Sequence, residues 1–180
     1  MKLKNYKRIM IIAMILNLSL PVVVKASDVD NNVIAINLNL KEKIEKQLEE
    51  IELKRQKELQ KQKDIDLLAR VINAEMGCSW FSDDLLKYTG SVVLNRIKDN
   101  NFPNSLYDVI YAKGQYKCTW DGNIEKEPAE RHYKIAKELI ENGSVLPDSV
   151  VYQAEFPQGS GIYYQYYDEI LDTTIYFCYK

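Results

Sequence analysis

The stretch Leu68-Ala69-Arg70-Val71-Ile72-Asn73-Ala74-Glu75-Met76-Gly77 decides how the chain folds around its chemistry. Leu68, Val71, Ile72 and Glu75 recur at helical spacing, which places them on one stripe of a helix. That helix is expected over residues 64–76, with Gly77 at the C′ position. A carboxylate on an apolar stripe is out of place. Glu75 also falls in the last turn, where the helix dipole disfavours an anion. Burial and the dipole act in the same direction, and both raise the pKa of a carboxyl group. A carboxylic acid still protonated near neutral pH is what a glycosidase needs to protonate a leaving oxygen. The plainer alternative is a boundary glutamate whose tip reaches solvent or pairs with a base such as Arg70.

Downstream, Ser82 reads as the N-cap of a second helix over residues 83–99, with Leu85, Tyr88, Thr89, Val92, Val93, Arg96 and Ile97 on its face. Pro103-Asn104 is expected to open a short third helix through Ala112 that ends near Gly114. Pro128 is expected in the first turn of a fourth, which Gly143 closes. After Pro147 the texture changes. Residues 149–154, 161–168 and 173–179 are rich in Val, Ile and Tyr and read as strands. Helices followed by a small antiparallel sheet make the class α+β.

Upstream, residues 1–26 hold Lys2, Lys4, Lys7, Arg8 and Lys25 and no acid. The apolar run from Ile9 to Val24 contains Asn17, Ser19 and Pro21 and falls short of the roughly 20 residues that span a membrane. This is the pattern of a secretory signal, cut after Ala26, with an uncleaved anchor as the alternative. Either way the remainder is exported. Residues 27–40 read as a polar linker. Residues 41–63 contain eight basic and six acidic residues. Ile44, Leu48, Ile51 and Ile65 could form a seam, but Arg55, Glu58 and Gln62 interrupt it. The stretch reads as a charged helical spacer, with a weak coiled coil or a docked protein partner as the alternative. Residues 64–180 carry 18 of the 19 aromatics, all three cysteines and a formal charge of −7. They are the folded, chemically active domain, large enough to bury a core without disulfides.

Composition excludes several chemistries. The whole chain has 180 residues and a formal net charge of −2, which gives no electrostatic case for nucleic acid. Its single histidine rules out zinc sites built on two or more histidines. The seven glycines form no phosphate-binding loop. No metal and no other cofactor is expected.

The quoted stretch resembles the opening motif of the SleB/CwlJ type of cell wall hydrolases, the spore cortex-lytic enzymes. Further segments resemble that family in order: Gly90-Ser91-Val92-Val93-Leu94-Asn95-Arg96-Ile97-Lys98, Phe102-Pro103-Asn104-Ser105-Leu106, Val109-Ile110-Tyr111, Gln115-Tyr116, Thr119-Trp120-Asp121-Gly122 and Ile175-Tyr176-Phe177-Cys178. The resemblance covers residues 66–180 and implies a lysozyme-like fold and a peptidoglycan substrate. It also implies that the motif glutamate, here Glu75, is the catalytic acid. The implied bond joins N-acetylmuramic acid to N-acetylglucosamine, and the implied reaction is commonly that of a lytic transglycosylase. The chain departs from the family at Thr173-Thr174-Ile175, where a histidine is usual, and over residues 153–167.

Chemistry leaves rivals in view. A muramidase hydrolase needs a second carboxylate, for which Asp83, Asp84 and Asp121 are the local candidates; each also reads as a cap or turn residue. A lytic transglycosylase needs none, because the muramic C6 hydroxyl can attack while Glu75 turns from acid to base. Gln115, Tyr116, Trp120, Tyr163 and Tyr164 are groove candidates, since sugars stack on aromatic faces and are held by amides; core packing is the alternative. Asn95 and Arg96 either orient the fold or, for Arg96, pair with a carboxylate or touch sugar. A disulfide between Cys78 and Cys118 is conceivable, and Cys178 reads as a small buried residue. Cys118 with His132 would make a cysteine peptidase, but no orienting partner is evident. An amidase lacks its zinc site. The rival from another class is a non-catalytic wall-binding or assembly protein docked through residues 41–63.

Overall fold

The computed structural model describes residues 31–180, with side chains from Asn39 onward. The expected signal and its cut after Ala26 lie outside the described residues. The chain divides into two compact units, Met1–Glu52 and Leu53–Lys180. In the first, the described residues belong to α1 (Asn31–Met76), and their side chains are exposed. Helix thus begins within the stretch expected to be a linker, and no break falls at Asp64. No helix among the described residues is long and apolar enough to cross a membrane.

The second unit holds the core. The last turns of α1 bury Leu68, Ala69, Val71, Ile72 and Met76. Across them lies α2 (Asp83–Lys98), whose N-cap is Ser82 as expected: its hydroxyl accepts from the Leu85 N–H at 3.3 Å. Burial on α2 extends beyond one stripe to Leu86, Gly90, Ser91 and Asn95, because both α1 and the sheet pack on it. Gly90 permits that approach. A Cβ there would run into Leu139 and Ile72 side chains.

Three boundaries differ from expectation. The third helix, α3 (Leu106–Tyr111), starts after Pro103-Asn104, because Ser105 caps it by accepting from the Asp108 N–H at 3.1 Å. A short helix, α4 (Cys118–Asp121), stands where the sequence reads as a loop. Pro128 precedes the N-cap Ala129 of α5 (Glu130–Asn142) instead of entering its first turn. Gly143 closes α5 as expected, its N–H donating to the Leu139 carbonyl at 2.8 Å.

The sheet follows as β1 (Val150–Ala154), β2 (Gly161–Asp168) and β3 (Thr173–Tyr179), in spatial order β1-β3-β2. Both pairings are antiparallel, with Gln153 opposite Phe177 and Tyr166 opposite Ile175. The motif residues Asn95 and Arg96 bind β1 to α2. Asn95 Nδ2 donates to the carbonyls of Pro147 (2.8 Å) and Val150 (2.9 Å), and Arg96 Nε donates to Val151 (2.7 Å). The Arg96 guanidinium also lies over the Phe102 and Tyr116 rings, at 5.3 and 5.1 Å from their centroids. No carboxylate is ion-paired with Arg96 among the described residues, so its first role is to orient the fold. The architecture is α+β: helices, then a small antiparallel sheet.

Candidate active site

Antiparallel pairing sets the end of β1 beside the start of β3, and the end of α1 runs up to that edge. Between them lies a cleft of about 460 Å³. Its walls are Asn73, Ala74, Glu75, Met76 and Gly77 from the end of α1, then Cys78 and Phe81, then Lys126. The sheet closes it with Gln153, Ala154, Glu155, Leu171, Thr173 and Ile175. Gly77 serves here by close approach, not by left-handed backbone: a Cβ would run into the Asn73 carbonyl.

Glu75 turns into this cleft. Its side chain is exposed, where the apolar stripe predicted an inward position among Leu68 and Val71. The last turn of α1 lies at the rim of the core: Met76 is buried there, while Glu75 faces the cleft. Solvent reaches the carboxyl from the open side, while protein surrounds it on the others. That crowding pushes its pKa above the ordinary glutamate value of 4.5; the nearby Asp121 charge adds to the rise, while the Cys118 thiol, which donates to the carboxylate, and the Arg96 charge oppose it. Arg70 is engaged elsewhere, with Asp66 at 2.9 Å and Glu127 at 3.3 Å.

Cys118 is buried beside Glu75, and burial together with the Glu75 charge pushes its thiol up to about 12. It therefore stays an S–H donor, not a thiolate nucleophile. All three cysteines are free, so the conceivable bridge from Cys78 to Cys118 is absent. The cysteine peptidase pairing also fails. His132 Nδ1 accepts from the Ala129 N–H at 3.1 Å as a helix cap, and its buried Nε2 has no hydrogen-bond partner among the described residues.

None of the other expected site residues lines this cleft. Tyr116 is buried under Arg96, and burial pushes its phenol up to about 12. Gln115 and Trp120 are exposed near α4. Tyr163 and Tyr164 project from the edge strand β2 and pack edge-on against Tyr88, at 6.4 and 5.4 Å. Among the proposed second carboxylates, Asp83 is paired with Arg131 at 2.7 Å, and Asp121 holds a turn by accepting from the Asn123 N–H at 2.9 Å. Asp84 is exposed in the first turn of α2. Glu155, which sequence reasoning passed over, shares the cleft with Glu75. Lys126, Gln153 and Thr173 are other polar groups it missed; only the departures from the family over residues 153–167 and at Thr173 pointed to the last two. Among the described residues no cluster of three or more histidine, cysteine or acidic side chains could hold a metal.

The Cell Wall Hydrolase family matches residues 87–167, a span that begins beyond Glu75. No curated protein is significantly similar to the chain. Among solved structures, the catalytic domain of the Bacillus cereus SleB protein is similar at 20% identity and a TM-score of 0.47, covering 64% of this chain and 90% of that one. The catalytic domain of the germination-specific lytic transglycosylase SleB from Bacillus anthracis is similar at 18% identity and a TM-score of 0.46, covering 63% and 93%. Residues 87–167 run from α2, with its Asn95-Arg96 clamp, to the edge strand β2, and over that span the chain is similar to the cell wall hydrolases.

Proposed function

We propose that this protein is a lytic transglycosylase that cleaves the bond between N-acetylmuramic acid and N-acetylglucosamine, with Glu75 as its acid and base. The observation that carries this reading is a carboxyl group with a raised pKa, set in a cleft and contacted by a neutral thiol donor. The protonated carboxyl gives its proton to the bridging oxygen, and the bond from that oxygen to the muramic C1 breaks. Positive charge develops on C1 and its ring oxygen, and the glutamate left behind is an anion. The muramic C6 hydroxyl then bonds to C1 and returns its proton to Glu75, which closes the cycle without water. The chain acts outside the cell on wall or spore cortex, exported by the signal in residues 1–26, with residues 41–63 as spacer or docking segment.

A hydrolase is the second reading, favoured by one observation: Glu155 lines the same cleft and could serve as the second carboxylate. The test is to incubate the protein and its Glu75→Gln variant with cortex and vegetative peptidoglycan and weigh the soluble products. Anhydro-muramic products, lighter by one water than reducing ones and absent with Glu75→Gln, are expected. The variant should lose roughly 10²–10⁴-fold in rate. Reducing ends that disappear with Glu155→Gln would establish the hydrolase instead. Binding without release by the unaltered protein would sink both.

A further inference from the structure

One aromatic side chain beside the cleft is held in a way that packing alone does not require. Trp80 sits between Cys78 and Phe81, both cleft residues, and 44% of its surface is exposed. Its indole Nε1 donates to Asp168 Oδ2 at 3.0 Å. Asp168 is 1% exposed, and its other oxygen accepts from the N–H groups of Ile170 (2.9 Å) and Leu171 (3.3 Å). One buried carboxylate thus fixes two things at once: the orientation of the indole and the turn that carries Leu171 into the cleft wall. From its other side the ring leans on Phe81, centroids 5.8 Å apart, and Phe81 in turn meets Tyr166 of β2 edge-on at 5.9 Å.

Isolated exposed aromatics are ordinary on protein surfaces. Trp80 differs in three respects. Its only polar atom is already satisfied, so what remains to offer solvent is apolar face. That face is immobilised, so little side-chain entropy is lost when a ligand covers it. It also adjoins a cleft whose walls supply amide and hydroxyl groups, from Asn73, Gln153 and Thr173. A fixed apolar face next to a few convergent hydrogen-bonding groups suits a ligand that is itself two-faced, as a pyranose ring is, with C–H groups on one side and hydroxyls and acetamido around its rim.

We propose that Trp80 stacks on one N-acetylated sugar ring of the glycan strand beside Glu75, with Asp168 as its positioning residue. The inference rests on the glycan-cleaving reading and adds to it a binding residue that the aromatic loop and the β2 tyrosines do not provide.

The chain has two tryptophans, Trp80 and Trp120, which makes the contact directly observable. In a Glu75→Gln background, Trp120→Phe leaves Trp80 as the only indole. Titration with soluble uncleaved peptidoglycan strands should then shift its emission to shorter wavelength in a saturable way. The converse variant, Trp80→Phe with Trp120 kept, should show no such shift. In the otherwise unaltered chain, Trp80→Ala should raise KM roughly tenfold while kcat changes much less. Trp80→Tyr should recover most of the affinity, which a mere folding defect would not allow. Asp168→Asn should raise KM in the same sense, through loss of the indole's anchor. A shift reported by Trp120 alone, or a Trp80→Ala chain with unchanged KM, would overturn the proposal while leaving the cleavage reading intact. Saturable Trp80 binding together with no product released by the chain that keeps Glu75 would overturn the cleavage reading and leave the stacking contact standing.

Discussion

At the residue scale, Glu75 is governed by burial and three neighbours, and each effect has a known sign. Crowding by protein and the Asp121 charge favour its neutral form, whereas the Cys118 thiol and Arg96 favour the anion. An acid catalyst works while protonated, so activity should fall as pH rises through the elevated Glu75 pKa. Asp121→Asn should move that alkaline limb to lower pH, and Cys118→Ala should move it to higher pH. Because Asp121 is exposed, its effect should shrink in salt while that of Cys118 persists. pH–rate profiles of the two variants on a soluble glycan, at low and high ionic strength, check both signs. Stability must follow the same proton. The folded state holds it more tightly than the unfolded chain does, so the stabilisation it gives is full below about pH 4.5 and is lost as pH rises through the folded value. Glu75→Gln should therefore melt higher than the unaltered protein near neutral pH, with the difference vanishing in acid.

At the element scale, the motif residues Asn95 and Arg96 act mainly as fasteners. Asn95 ties the approach to β1 and β1 itself onto α2, and Glu155 and Gln153, at the far end of the same strand, form part of the cleft. Asn95→Ala strands two carbonyls and should destabilise the fold by ~1–3 kcal/mol, seen in urea unfolding. Its activity should fall further than the unfolded fraction explains, because the β1 wall loosens before the core does. The three strands were legible in the sequence because Val, Ile and Tyr cluster there between turn signals. The stripe containing Glu75 was legible through its period. Not legible was where the stripe leaves the core: periodicity assigns a face but cannot tell that at Glu75 this face opens on a cleft. The cleft walls were hidden for a related reason. Gln153, Glu155 and Thr173 reach Glu75 only through strand pairing and the α2 clamp, and no local pattern encodes that meeting. The short α4 escaped because its Cys-Thr-Trp-Asp run has no turn of apolar repeats to betray it. Proline misled twice: at residues 103 and 128 it precedes a helix whose true start is set by Ser105 or Ala129.

At the scale of the whole molecule, charge is unevenly distributed between the parts. Residues 64–180 carry −7, whereas residues 41–63 hold two more basic than acidic groups. Leu53–Lys180 forms a compact unit by itself, within which Lys61 of α1 pairs with Glu141 of α5 at 2.8 Å. A chain beginning at Leu53 keeps that pair and the entire core, so it should melt within about 2 °C of the longer chain. It should also cleave short soluble glycans at the same rate. On intact walls the two should part. An acidic domain is repelled by a wall rich in anionic polymer, and residues 27–52, with three basic and seven acidic groups, add to that repulsion, whereas the basic excess of residues 54–63 stays in the shortened chain. The shortened chain should therefore release product faster from such walls at low salt, and the gap should close as the Debye length falls to about 8 Å near physiological ionic strength. Cortex, poor in such polymers, should show little difference between the chains at any salt. Equal rates on both substrates at low salt would mean that residues upstream of Leu53 act through a bound partner, or not at all, in bringing the enzyme to its substrate.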